Sequence, residues 1–276
     1  MTRNLLFNYI RGKEQVRTSV GPLRNSTGRV VCDESEMAGL LNRYFPSMFT
    51  QEQSGELPKA KSIYLGGEEG LLQKIQVGVK AVKEQLGNIR GDQALGPDNM
   101  HPRVLRDVAE QVSELLTEIF NPSLESGQVP ENWRVANVTP LFKKGSREEL
   151  GNYRPVSLTS VVWKVLETLI KDQLRTHLNT YKLSNGSQHG FIKGSSCLAN
   201  VLEFYEAVSD WVDEGKAVNI VYLDFKKAFD KVPHRRLIAK VRACGVAGQV
   251  ANWIVNWLVD RKQRVAVSGG CLAGRM

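Results

Sequence analysis

Val218-Asn219-Ile220-Val221-Tyr222-Leu223-Asp224-Phe225-Lys226-Lys227-Ala228-Phe229-Asp230 is the stretch on which the reading of the fold turns. Its first six residues form a short, nearly unbroken β-favouring run, the pattern of a strand buried on both faces. Asp224 breaks the run. A carboxylate at the end of a rigid buried strand holds an oxygen ligand at a cleft edge, where a magnesium ion can use it. Phe229, five residues on and across a tight turn, is placed to wall a neighbouring space. Taken alone, the same residues also fit an Asp capping the next helix, with Phe229 as ordinary core.

Helical patterns lie on both sides of this run. Glu34 to Phe45 carries Met37, Leu40, Leu41, Tyr44 and Phe45 on one face, and about 68–86 repeats Ile75, Val79, Val82 and Leu86. A third pattern covers about 103–120, where Asn121-Pro122 is expected to end or kink it, because proline lacks the amide donor and clashes with the preceding turn. Further helices are expected over 161–178, 198–212, 235–243 and 250–258. Strands are expected over 135–142 and 263–268. Gly/Pro/Asn-rich loops span 87–102 and 184–196. Residues 1–65 read as a linker-like lead. Helices outnumber strands and no repeat appears, so the class is α+β.

The charges are basic overall. Thirty-seven Lys+Arg against 29 Asp+Glu give 276 residues a formal +8, compatible with a nucleic-acid partner but equally with a mildly basic surface. Two basic elements precede the Asp224 run. Lys143 and Lys144 follow a strand, and Arg154 stands between Asn152-Tyr153 and Pro155. A hairpin carrying them can grip a triphosphate, Lys as a point charge and Arg as a planar bidentate donor; alternatively it is a solvated turn. The loop Gln188-His189-Gly190-Phe191-Ile192-Lys193-Gly194-Ser195-Ser196 does not match G-x-x-x-x-G-K-[ST], which argues against a P-loop. No G-x-S-x-G supports a serine hydrolase. The four Cys and four His lack zinc or disulfide spacing. Nothing reaches the roughly 18 apolar residues of a membrane span, and the first residues lack a signal-peptide pattern. An intracellular, non-secreted protein in nucleus or cytoplasm is expected, without membrane contact.

In order along the chain come Gly96-Pro97-Asp98 with His101-Pro102-Arg103-Val104-Leu105; Asn137-Val138-Thr139-Pro140-Leu141-Phe142-Lys143-Lys144-Gly145; Asn152-Tyr153-Arg154-Pro155-Val156-Ser157-Leu158; Gln188-His189-Gly190-Phe191; and Tyr222-Leu223-Asp224-Phe225 through Ala228-Phe229-Asp230. Together these resemble the reverse transcriptase of non-LTR (LINE) retrotransposons, of the jockey and chicken-repeat type. The resemblance runs from the start of the chain to about Gly270.

It implies a partial right-hand polymerase: 1–65 a lead that would follow an endonuclease, 66–199 mostly helical fingers, and 200–276 an incomplete palm holding the first strands of an antiparallel sheet. Asp224 would be the catalytic magnesium ligand, joined by the backbone carbonyl of Phe225. Lys143, Lys144 and Arg154 would contact the incoming deoxynucleoside triphosphate, and Phe229 would exclude a 2′-hydroxyl. Gln188, Gly190, Phe191 and Lys193 would lie along the RNA template and DNA primer. Gln93, Asn99 and Pro122 depart from the family pattern, none at a catalytic position. The chain has no Asp-Asp dipeptide, so the aromatic-Ala-Asp-Asp hairpin is missing. The expectation is therefore a truncated copy, inactive alone. The other outcomes are a non-catalytic nucleic-acid-binding remnant or a decayed product without molecular function.

Overall fold

The computed structural model describes residues 20–52, 55–57, 60–192 and 194–267, and the backbone of 271–272. Two cores organise it. The first is helical and is built around Trp163, which is fully buried. Helix α1 (Glu34–Tyr44) belongs to the second core; α2 (Val79–Gly87), α4 (Ala109–Ser126), α5 (Val161–Thr180) and α8 (Gly248–Leu258) supply most of the first, with the short α3 (Pro102–Asp107) preceding α4. The Trp163 ring lies 5.3 Å from Trp253 and 3.8 Å from Trp257, stacked on both, so one indole joins α5 to α8. Ser160 caps α5 by accepting the Trp163 amide.

The second core is the underside of a sheet. Strand β3 (Val135–Phe142) pairs antiparallel with β4 (Tyr153–Leu158) and parallel with β5 (Lys262–Val267), and β6 (Cys271–Leu272) extends β5 antiparallel. The expected antiparallel sheet is thus mixed. Alternation along β3 and β5 turns Val138, Val265 and Val267 to one face, where Met37, Ala38, Leu41 and Phe45 of α1 cover them. The small hairpin β1 (Leu23–Arg24) and β2 (Val30–Val31) adds Leu23 and Val31. Residues 20–48 lie in the stretch that composition reads as linker-like, yet they are structured and close this core. Asp33 caps α1 through the Glu36 amide at 2.8 Å, with Glu34 and Glu36 in the first turn and Arg43 in the last, all favourable to the helix dipole.

Three further expectations are corrected. The helix expected over 68–86 starts only at Val79, after a single 3-10 turn at Glu68–Gly70. The pattern over 103–120 is two helices, divided at Val108, and the second runs through Pro122 to Ser126. Pro122 is on the solvent side, so the Glu118 carbonyl that loses its amide partner faces water. Asn121 then pins the helix from its inner side, accepting from the Val77 amide (2.9 Å) and donating to the Val77 carbonyl (3.0 Å).

The third concerns residues 218–223, which are not a strand. They run without regular structure and are not buried, with Val221, Tyr222 and Leu223 about four-fifths exposed. Asp224 therefore does not end a central strand. The apolar run has the composition of a buried strand, but a strand also needs a ladder partner, and among the described residues none runs beside it. Helix α6 (Cys197–Asp213), which leads into it, likewise keeps Leu198, Leu202, Tyr205 and Trp211 exposed. Among the described residues no helix is long and apolar enough to cross a membrane.

Candidate nucleotide and nucleic-acid site

The basic turn is built by the β3–β4 hairpin. Leu141 pairs with Arg154 and Phe142 with Tyr153. Beyond the last pair the Lys143 amide donates to the Asn152 carbonyl at 2.9 Å, and the Asn152 side chain closes the turn by donating to the Ser146 carbonyl. Gly145 sits at φ +89°, where a Cβ would lie 2.7 Å from Asn152 Nδ2, so the turn needs glycine on both counts. Tyr153 is buried and donates its hydroxyl to the Arg147 carbonyl at 2.7 Å, fixing the strand beside Arg154. Lys143, Lys144 and Arg154 are exposed, and among the described residues no carboxylate lies within 4.0 Å of their cationic groups. Three unneutralised cations on one hairpin suit an anionic ligand.

The turn carrying Asp224 and Phe229 docks on α1. Lys227 Nζ donates to the Tyr44 hydroxyl at 3.1 Å, lies 4.9 Å from that ring's centroid, and also meets the Met48 sulfur. The same hydroxyl faces the hairpin: a Cβ on Gly151 would stand 3.2 Å from it. Tyr44 is thus the point at which the hairpin with Arg154 and the turn with Asp224 meet. Sequence reasoning placed Tyr44 on a helix face and Lys227 in the motif but did not pair them, since nothing local links residues 183 apart.

The 184–196 loop joins the same region through Phe191. Its ring meets that of Phe229 edge to face, centroids 5.6 Å apart. Gln188 donates to the Gly190 carbonyl at 2.9 Å, and His189 pairs with Glu203 at 2.7 Å, tying the loop to α6. Lys193 lies outside the described residues. Phe229 is 76% exposed, which removes the reading of it as core. The next helix, α7 (His234–Ala243), begins after Pro233, so Asp224 is not its cap either. Asp224 and Phe225 are exposed, and among the described residues no group of three His, Cys, Asp or Glu side chains is placed to hold a metal. These residues alone do not fit a complete magnesium centre.

The family model described as "Reverse transcriptase (RNA-dependent DNA polymerase)" matches residues 142–274, a span holding the basic turn, Arg154, the Phe191 loop and the Asp224 turn. This part of the chain is similar to reverse transcriptases. Curated relatives extend the likeness beyond it. The chain is 26% identical over 225 residues to a probable RNA-directed DNA polymerase from transposon BS of Drosophila melanogaster, covering 80% of this chain and 25% of that protein. It is 28% identical over 197 residues to the RNA-directed DNA polymerase from mobile element jockey of Drosophila melanogaster, covering 70% and 21%. The jockey polymerase of Drosophila funebris is 24% identical over 271 residues, covering 95% and 29%. The chain is thus similar to reverse transcriptases of non-LTR (LINE) retrotransposons, and it spans about a quarter of the length of these curated relatives.

Proposed function

We propose that this chain is the part of an intracellular retrotransposon RNA-directed DNA polymerase that grips the incoming deoxynucleoside triphosphate and an RNA template with its DNA primer. Residues 66–199 act as fingers, and 200–276 contribute part of a palm. Lys143 and Lys144 neutralise phosphate charge, and Arg154 supplies a planar fork of donors. Phe229 crowds the sugar on its 2′ side, while Gln188, Gly190, Phe191 and Lys193 follow the template–primer. Asp224 and the Phe225 carbonyl would be this segment's share of the ligands to magnesium, and the chemistry supplied there would be stabilisation of the attacking and leaving oxygens of an in-line displacement.

The observation that carries this reading is the meeting at Tyr44 of the hairpin with the Asp224 turn, beside the Phe191–Phe229 contact. With Asp224 the only carboxylate that the resemblance assigns to magnesium and no cluster of three ligands among the described residues, the chain alone binds but does not polymerise.

Equilibrium binding of a deoxynucleoside triphosphate tests it. Lys143→Gln combined with Arg154→Gln should weaken binding about tenfold or more, as expected for lost charge-assisted hydrogen bonds. Unchanged affinity would remove the hairpin from the site. On a primed RNA template with magnesium the chain should incorporate no nucleotide above background. Magnesium-dependent synthesis that disappears in Asp224→Asn would overturn the non-catalytic half of the reading.

A further inference from the structure

Helix α7 is a second cationic surface, separate from the hairpin. Its ten residues include His234, Arg235, Arg236, Lys240 and Arg242 and no acidic side chain. Leu237, Ile238 and Val241 turn inward and are half-buried, while Arg236, Lys240 and Arg242 are exposed. At about 100° per residue these three fall within roughly 160° of the helix circumference. The charge is one-sided: Arg235 and Arg236 stand in the first turn with no acid, against the helix dipole, whereas Lys240 and Arg242 in the last turn suit it. Glu52 offsets part of this by accepting the Arg235 amide at 3.0 Å with each carboxylate oxygen, and the Arg235 guanidinium donates to the Gly55 carbonyl. Arg235 is thereby committed to the chain itself. Arg236, Lys240 and Arg242 are not: among the described residues no carboxylate lies within 4.0 Å of them, whereas Arg24, Lys83 and Arg90 elsewhere on the surface each have one.

We infer that the outer face of α7 docks the sugar-phosphate backbone of RNA through Arg236, Lys240 and Arg242. A polyanion is favoured over an acidic protein segment by the layout of the charges. The apolar groove that such a segment would fill lies between Ile238 of α7 and Val255 and Leu258 of α8. Arg242 borders that groove, but Arg236 and Lys240 do not. Three cations spread over an arc serve a run of phosphates better than a single groove. The choice of RNA among polyanions rests on the function proposed above; the surface itself does not.

The test uses the whole chain and a short single-stranded RNA of mixed sequence, with affinity followed across salt. Replacing Arg236, Lys240 and Arg242 together by Gln should reduce the log–log salt slope by about 2, from roughly 0.7 per single-strand phosphate contact. Triphosphate binding should stay unchanged, so failure here is distinct from failure of the hairpin reading. Lys240→Gln alone, which leaves most of the helix surface intact, should lower the slope by about 0.7. A control with the same charge loss, Lys61→Gln, Lys74→Gln and Lys80→Gln, should leave the slope in place. An unchanged slope in the α7 variants, or an equal drop in the control, overturns the inference. So does polyglutamate that competes as well as RNA of equal charge, which would point to an acidic protein partner.

Discussion

Lys227 Nζ donates to the Tyr44 hydroxyl at 3.1 Å and sits 4.9 Å from the centroid of the same ring. One residue from α1 therefore holds the turn that carries Asp224. Lys227 itself is at φ +56°, a left-handed conformation that a lysine adopts only when its surroundings hold it. Tyr44→Phe keeps the ring and removes the acceptor. It should cost about 1 kcal/mol and raise hydrogen exchange at amides 226–231, with little change in the sheet. Unaltered exchange in that segment would show that the Met48 contact and the ring suffice.

How far such a tether was legible in the sequence depends on its range. The β3 strand and helices α1, α5, α7 and α8 are local patterns, and residues 135–142, 34–44, 161–180, 234–243 and 248–258 fold as their periodicity indicates. Val218 to Leu223 fails for a physical reason: composition specifies a willingness to pair, and a partner strand supplies the rest. At Pro122, where the helix is expected to end or kink, it does not end, for another reason: the proline is on the solvent side and the carbonyl it leaves unpartnered faces water. The motif residues were legible singly. Their meeting at Tyr44 and at Phe191–Phe229 was not, because it depends on contacts between distant segments.

Arg134 shows which charge matters to stability. It is 9% exposed, and its guanidinium donates to the carbonyls of Val129, Asn256 and Val259 and to Asn256 Oδ1, at 2.6 to 3.3 Å. These bonds fasten the approach to β3 onto the end of α8. Lysine cannot reproduce the fork, so Arg134→Lys should lose about 2–4 kcal/mol in denaturant unfolding. Asp260, 4.0 Å away and 83% exposed on its side chain, should contribute little; Asp260→Asn should change stability by less than about 0.5 kcal/mol. The reverse ranking would mean that the ion pair, not the carbonyl bonds, holds the junction.

Thiol chemistry separates the described cysteines. Cys32 and Cys197 are exposed, while Cys244 is half-buried at the end of α7. Burial pushes the Cys244 thiol up, and the nearby Lys240 charge partly offsets this. Because the thiolate is the reactive form, a higher value means less of it at neutral pH. In the folded chain Cys244 should alkylate more slowly than the other two at neutral pH, and its rate should still be climbing above about 8.5, where an ordinary thiol begins to level off. Lys240→Gln removes the offsetting charge and should slow it further. Mass spectrometry of labelled peptides reads all three; equal labelling at neutral pH would contradict the burial of Cys244.

Phe229 separates packing from selection most sharply, because its surroundings are already known. A phenylalanine in a core costs about 3–5 kcal/mol when truncated to alanine. Phe229 is 76% exposed and meets another exposed ring, Phe191, edge to face. Aromatic pairs contribute roughly 0.5–1.5 kcal/mol beyond the area they bury, and exposure puts this pair at the lower end. Phe229→Ala should therefore cost less than about 1 kcal/mol, and a double-mutant cycle with Phe191→Ala should give a coupling of similar size. With stability so little affected, any change in sugar preference is readable. In a longer polymerase that contains this segment and incorporates deoxynucleotides, Phe229→Ala should admit ribonucleotides by freeing the volume beside the 2′-carbon. A large stability loss would mean that the ring packs in solution as a core residue does. Intact selectivity in a well-folded variant would mean that another group excludes the hydroxyl.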